Sequence, residues 1–381
     1  MSKIKSVYCD YAAATPLSEQ VLKAMQPFFG EQFYNPSAIY LAGKAARQSL
    51  ESARSIIAKQ LGARPSEIIF TAGGSEANNL AVHGVMRQYP DANCVISAVE
   101  HDSVIKPAQN YHHKIAKVGF DGSLNPASLT KQIDSKTVLV SVMLVNNELG
   151  TIQKIREIAQ IIQHIGEERL KKGNNLPLIL HSDACQAAYL DIAVHRLGVD
   201  LLTLNGGKIY GPKQSGVLYV RAGLKLTPVI DGGGQEFGLR SGTENVAQAV
   251  GLAKALQLVA ERRTSEQVRL KSLQKRFEDG LKKLKPKIYI NGGKNRSPHI
   301  SHITILGVDN ERLMMELDER GVQCAVGSAC SASSQEPSHV LSAIGLSDKE
   351  AQSSLRFSFG QQTTIDDIVY ILGQLKILLR R

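Results

Sequence analysis

The chain has no tryptophan, five cysteines in 381 residues and no apolar run long enough to cross a membrane. Its longest apolar stretch, Val138 to Val145, is interrupted by Ser141 and has the length of a buried strand, so no membrane association is expected. None of the cysteines (Cys9, Cys94, Cys185, Cys324, Cys330) forms a CxxC pair. A disulfide framework is thereby excluded as the main source of stability, and reduced thiols are expected. The first residues, MSKIKSVYCDYAAATP, lack an apolar core, a cleavage pattern and the Arg/Ser bias of a transit peptide, so a cytoplasmic protein is expected. Repeats and low-complexity tracts are also missing.

What is present has ordinary globular proportions, 43% hydrophobic and 21% charged residues, which excludes a disordered or fibrous chain. The length exceeds what one core usually supports, so two domains are expected. The net charge of +10 is compatible with an acidic partner, nucleic acid or a solvated basic surface. Aromatics make up only 5% of the chain and do not interleave with basic residues, so direct nucleic-acid binding is not expected. Ten basic and four acidic residues lie between 261 and 287, on an amphipathic stretch read first as a solvated helix face and second as a docking surface for an acidic acceptor.

Short apolar runs alternate with helical patterns from about residue 50 to 220. Ile68 to Phe70, Val95 to Ser97, Val138 to Val145, Leu178 to Leu180 and Leu201 to Leu204 read as strands covered on both faces, and Leu50 to Leu61 and Ile155 to Ile165 as helices between them. That alternation predicts an α/β layer with a mostly parallel sheet. Beyond residue 250, apolar residues mostly three and four apart (Leu252, Leu256, Val259, then Val268, Leu273, Phe277, Leu281, Leu284) predict a long helix or two joined ones leading into a small α/β C-terminal domain.

Three features carry chemistry. Asp183 in LILHSDACQA falls where a buried strand ends, the place at which open α/β sheets bind ligands, although a carboxylate there can equally be a cap. Lys208 lies 25 residues later in NGGKIYGP, between glycines, where an amine could form a Schiff base with a carbonyl cofactor. Gly73-Gly74-Ser75 join a strand to a helical pattern, with Ser75 placed as N-cap or phosphate ligand. Competing phosphate motifs fail: a P-loop over Lys208 would need glycine at Leu202 and Ser or Thr at Ile209, and GGGQEFG has Phe237 where a dinucleotide fingerprint needs glycine. Cradle, strand-end acid and loop amine together match what pyridoxal phosphate requires.

With these residues in place, the ordered set NPSA, TAGGSEANN, VEHDSV, VNNELG, HSDACQA, NGGKIYGP, RSGTEN, GSACSAS and SSLRFS, running from about Tyr11 to Thr364, resembles the group I (NifS/IscS-like) cysteine desulfurases of the class V aminotransferase superfamily. The resemblance implies fold type I of the pyridoxal-phosphate transferases: a large domain over 16–260 with a mostly parallel, seven-stranded type of sheet, and a small domain from 1–15 and 261–381. It implies Lys208 as Schiff-base lysine, Asp183 at the pyridine nitrogen, His101 stacked on the ring, Asn147 and Gln186 at the phenolic oxygen, and Ser75 with the Gly74 amide at the phosphate. Asn205 would supplement the phosphate site, and Thr243 would reach it from the other subunit of a homodimer. Arg356 would hold the substrate carboxylate, beside Asn147. Cys330, on a Ser/Ala/Gly-rich segment of group I length, would be the nucleophile, taking sulfur from L-cysteine as a persulfide, leaving alanine and passing the sulfur to an acceptor protein for iron–sulfur cluster assembly or thiolation. Selenocysteine lyase, or another class V lyase or aminotransferase, is the alternative.

The sequence departs from the pattern at Gly207 and Asn205, where the family usually has His and Ser, and at Gln361, where many members have Arg. The first departure predicts weaker cofactor binding, or a larger share carried by Ser75, Asn205 and Thr243. A C-terminal extension typical of members that dock scaffold proteins does not follow the last helical pattern. Cys9 and Cys94 read as core, Cys185 as a neighbour of the cofactor, and Cys324 as no part of a metal site. His112-His113 reads as a solvated helix end, and His339 is left unexplained by the sequence. His101-Asp102-Ser103 is rejected as a hydrolase triad because residues so close in sequence are not expected to present side chains to one another.

Overall fold

The computed structural model describes residues 5–284, 287–327 and 337–380. Cys330, in the segment 328–336, lies outside them. Twelve strands occur among the described residues: β1 (Val7–Tyr8), β2 (Ile68–Thr71), β3 (Asn93–Ser97), β4 (His113–Ala116), β5 (Thr137–Ser141), β6 (Ile179–Asp183), β7 (Leu201–Asn205), β8 (Gly216–Val220), β9 (Ile288–Asn291), β10 (Ile300–Ile305), β11 (Val322–Gln323) and β12 (Ser354–Ser358).

Seven of these form one sheet in the order β2-β8-β7-β6-β5-β3-β4, parallel except for β8, which runs against both neighbours. The architecture is the expected α/β sheet. Strands β3, β5, β6 and β8 are buried at every position, as strands covered by helices on both faces must be. Two strands, β4 and β8, were not anticipated: β4 is an edge strand of mixed polarity, and β8 follows β7 after a short glycine-containing loop. His112-His113 leads into β4 rather than ending a helix, since the preceding helix stops at Ala108. The regular strand ends at Ser141 rather than Val145, although Val142 and Leu144 still donate to the His181 and Asp183 carbonyls of β6. The four residues after it stay buried as irregular chain over the carboxyl ends of the strands.

The long helix is continuous from Val246 to Leu281. Val268, expected on its apolar stripe, is 68% exposed, and Leu270 takes the inward place. Phe277 packs between Phe357 and Phe359 of the C-terminal part. There β12-β10-β9 form an antiparallel sheet, while β1 pairs in parallel with β11, drawing the first residues of the chain to its last third. Cys9 and Cys94 are fully buried. Among the described residues no helix is long and apolar enough to cross a membrane.

Candidate active site

The carboxyl ends of β2, β3, β5, β6 and β7 and the chain that follows them surround one cavity. Gly74, Ser75, His101, Asn147, Asp183, Gln186, Asn205, Lys208 and Arg356 all line it. Thr243 does not: it lines a separate cleft with Glu236, Arg240 and Gln248. Asn78, Ser103, Met143, Val145, Ala12 and Ala13 line the cavity without having been anticipated there, and Cys185, expected near the cofactor, lines it too.

The helix Gly74–Met86 points its N-terminus at the cavity. Its N-cap is Gly73, at φ 117°, a conformation open to glycine and strained for other residues, so Ser75 is the second helical residue and not the cap. A Cβ on Gly74 would lie 2.7 Å from the Cys185 sulfur, so glycine there is what lets the helix end approach β6. Uncommitted N–H groups and the positive end of the helix dipole suit a phosphate.

Asp183 ends β6 and is almost buried, with Oδ1 accepting from the Cys185 backbone N–H at 2.9 Å and Oδ2 from the Asn78 side-chain amide at 2.7 Å. Burial, and secondly the Asp183 charge, push the Cys185 thiol well above its ordinary value, so it is neutral. Lys208 ends a short turn whose entry is capped by Asn205 Oδ1, accepting from Gly207 N–H at 3.0 Å. The lysine Nζ donates to the Ala12 carbonyl at 3.0 Å and also to that of Ala13. Gln186 donates to the same Ala12 carbonyl at 2.8 Å. Its Oε1 therefore faces His299 Nε2 at 3.2 Å, and His299 Nδ1 accepts from Ser297 at 2.7 Å.

Arg356 is held from two sides. Nη2 donates to Asp10 at 2.7 Å and Nη1 to the Asn147 carbonyl at 2.9 Å, while Nε, fully buried, has no partner among the described residues. Next to Asn147, Glu148 is buried and accepts from Ser338 Oγ at 2.7 Å. His339 Nε2 meets the Glu100 carbonyl at 2.9 Å, which gives that histidine a place: it and Ser338 fasten the helix His339–Ala343 to the loops that follow β3 and β5. Burial raises the Glu100 and Glu148 carboxyls above their ordinary range.

His101 and Ser103 do touch, contrary to expectation, with Nδ1 and Oγ 2.8 Å apart. The reason is helix capping: His101 is the N-cap of the helix Asp102–Ala108 and its Nδ1 also accepts from the Ser103 backbone N–H at 3.1 Å. The ground for rejecting a triad, that these side chains do not meet, therefore fails; Ser103 Oγ also accepts from the Asn78 amide at 2.8 Å, which makes it a link in a hydrogen-bonded chain running to Asp183. Of the residues sequence reasoning missed, Asn78 had a readable signal: it is one helical turn past Gly74, on the face that meets the cavity. Asp10 had none, being 346 residues from its partner Arg356.

The donor set fits pyridoxal phosphate: a helix N-terminus for its phosphate, a carboxylate for its ring nitrogen, an amine for its aldehyde and amides for its phenolic oxygen. The chain matches the class-V aminotransferase family over residues 7–371 and belongs to it. Within that family it belongs with the cysteine desulfurases. It is 40% identical to the cysteine desulfurase IscS of Dictyoglomus turgidum, over 99% of this chain and 95% of that protein. Among solved structures, a NifS-like protein from Rickettsia africae ESF-5 superposes with a TM-score of 0.88 at 30% identity, covering 99% of this chain and all of that one. The structure of SspA in complex with cysteine gives 0.78 at 34%, covering 92% and 98%.

Three buried histidines give the fold a pH dependence. Burial lowers His181 to about 4, and burial with the Arg356 charge lowers His299 and His302 to about 3. Each stays neutral when folded and takes up a proton when unfolded, so its contribution is complete above the unfolded value and is lost as pH falls from about 6.5 toward 3. In chemical denaturation from pH 7 to 4, His302→Gln should flatten the fall in stability by roughly 1.4 kcal/mol per pH unit relative to wild type. Parallel curves would refute the assignment.

Proposed function

We propose that the chain is a pyridoxal-phosphate-dependent cysteine desulfurase that converts L-cysteine to L-alanine and carries the sulfur away as a persulfide on Cys330. The observation that carries this reading is the convergence of Lys208, Asp183, the Gly74–Ser75 helix end and Arg356 on one cavity. When bound there, the cofactor would supply an electron sink for the bonds broken at the substrate carbon.

The chain's own residues have separable tasks. Ser75, the Gly74 amide and Asn205 would hold the phosphate, Asp183 would keep the ring nitrogen protonated, Asn147 and Gln186 would hold the phenolic oxygen, and His101 would contact the ring. Arg356, already gripped by Asp10 and the Asn147 carbonyl, keeps three further N–H donors for the substrate carboxylate. Lys208, surrounded by carbonyl acceptors, exchanges a proton with the substrate carbon. The Cys330 thiolate bonds to the substrate sulfur as the carbon–sulfur bond breaks, and the carbon left behind is protonated to alanine.

We place the large domain at 16–260 and the small one at 1–15 with 261–381. Pairing of β1 with β11, and of Asp10 with Ser358, supports assigning the first residues to the second unit. A homodimer is proposed in which Thr243 serves the partner subunit's site. Its position in a separate cleft supports this, as does the exposure of Phe33, Ile39, Leu41 and Phe237. The protein would act in the cytoplasm and pass its sulfur to an acceptor protein in cluster assembly or thiolation; the described cysteines are free thiols.

Two measurements follow. Cys330→Ala should abolish sustained alanine release from cysteine while leaving cofactor absorbance intact, and unchanged turnover would favour a lyase that needs no cysteine. At Gly207 a Cβ would meet nothing closer than 3.5 Å, so the position accepts a side chain. Gly207→His should tighten cofactor binding to the apoprotein by about tenfold, the scale of one charge-assisted hydrogen bond. An unchanged titration would contradict the inferred deficit.

A further inference from the structure

One chain of hydrogen bonds joins two groups the proposed mechanism treats separately. Asp183 is a carboxylate and can only accept, so the Asn78 group facing its Oδ2 at 2.7 Å is the amide nitrogen. The same nitrogen donates its second hydrogen to Ser103 Oγ at 2.8 Å. Ser103 Oγ keeps a second lone pair, so the direction of its 2.8 Å contact with His101 Nδ1 is set from the histidine side. The Ser103 backbone N–H, which can never accept, points at the same Nδ1 from 3.1 Å. The arrangement leaves Asn78 Oδ1 buried with no partner among the described residues, a cost tolerated where orientation matters more than stability.

We infer that Asn78 and Ser103 are positioning residues that fix His101 as the neutral Nε2–H tautomer and tie its orientation to Asp183. Two donors converge on Nδ1, one of them an immovable main-chain group at the start of a helix, so the ring lone pair lies there and the ring proton lies on Nε2. His101 consequently works at the cavity as a hydrogen-bond donor through Nε2, and base chemistry through Nδ1 is closed to it. A shift of Asp183 would be passed through the Asn78 amide and the Ser103 hydroxyl to the imidazole. This inference rests on the proposed cofactor site for its functional meaning but not for its test.

The test is nitrogen NMR of the histidine-labelled full chain without added cofactor, with the His101 signals assigned by their loss in His101→Gln. The wild type should show a protonated Nε2 and an Nδ1 resonance in the range of a hydrogen-bonded lone pair. Ser103→Ala and Asn78→Ala should move that Nδ1 resonance toward the unbonded position, while Ser103→Thr, which keeps the hydroxyl, should restore it. In the loaded enzyme, Ser103→Ala should lower kcat for alanine formation about 2- to 10-fold, the worth of one hydrogen bond, without changing the melting temperature. A proton on Nδ1 in the wild type, or an Nδ1 resonance unmoved in Ser103→Ala, overturns the inference. Neither result bears on whether the chain desulfurates cysteine. Should Asn78→Ala fail to fold, the Ser103 pair of variants decides alone.

Discussion

The Asp183 carboxylate sits at the end of a fully buried strand, and almost none of it reaches water. A carboxylate so placed is tolerable only if its oxygens are hydrogen-bonded, and two donors, the Cys185 backbone N–H and the Asn78 amide, are provided from different elements. Each of those donors constrains something else. Cys185 presses against Gly74, so the carboxylate and the phosphate-binding helix end are set at a fixed separation. Asn78 extends the network to Ser103 and His101, so the same carboxylate sets the orientation of the imidazole across the cavity.

A second constraint comes from chain connectivity. Arg356 on β12 is gripped by Asp10, just after β1, and by the carbonyl of Asn147, just after β5. Three distant parts of the chain therefore have to be in place before the guanidinium is aimed. The Ala12 carbonyl does the same for Lys208 and Gln186, accepting from both. Residues 10 to 13, two of which (Tyr11 and Ala12) are buried in the core, touch three of the groups proposed to act on substrate or cofactor. Short segments that meet several elements are where a site gains precision, because displacement of one misplaces all.

The order of motifs, the strand-end position of Asp183, the glycine-flanked lysine and the helix-start cradle were all legible because each is a local pattern: an apolar run that stops, or a glycine pair before a periodic stretch. The central sheet was legible for the same reason, with the exception of β4, whose polar edge hides the period, and β8, whose antiparallel return is set by tertiary pairing. Val268 lies five residues before Leu273, off the three-and-four spacing, whereas Leu270 lies three before it and is the residue that faces inward. Asp10 acts through a partner 346 residues away and nothing in its immediate neighbourhood announces it, whereas Asn78, one helical turn past Gly74, carries a local signal. Ser103 was misjudged for a different reason. Side chains two apart do not face each other within a helix, but across an N-cap they do.

The central claim is that Lys208, held at the mouth of β7 opposite Asp183, is the residue to which the cofactor attaches. Purified protein loaded with pyridoxal phosphate and reduced with borohydride should carry one pyridoxyl group per chain, and peptide mass mapping should place it on the fragment containing Lys208. A label on another lysine, or a loaded protein that takes up none, would contradict the account.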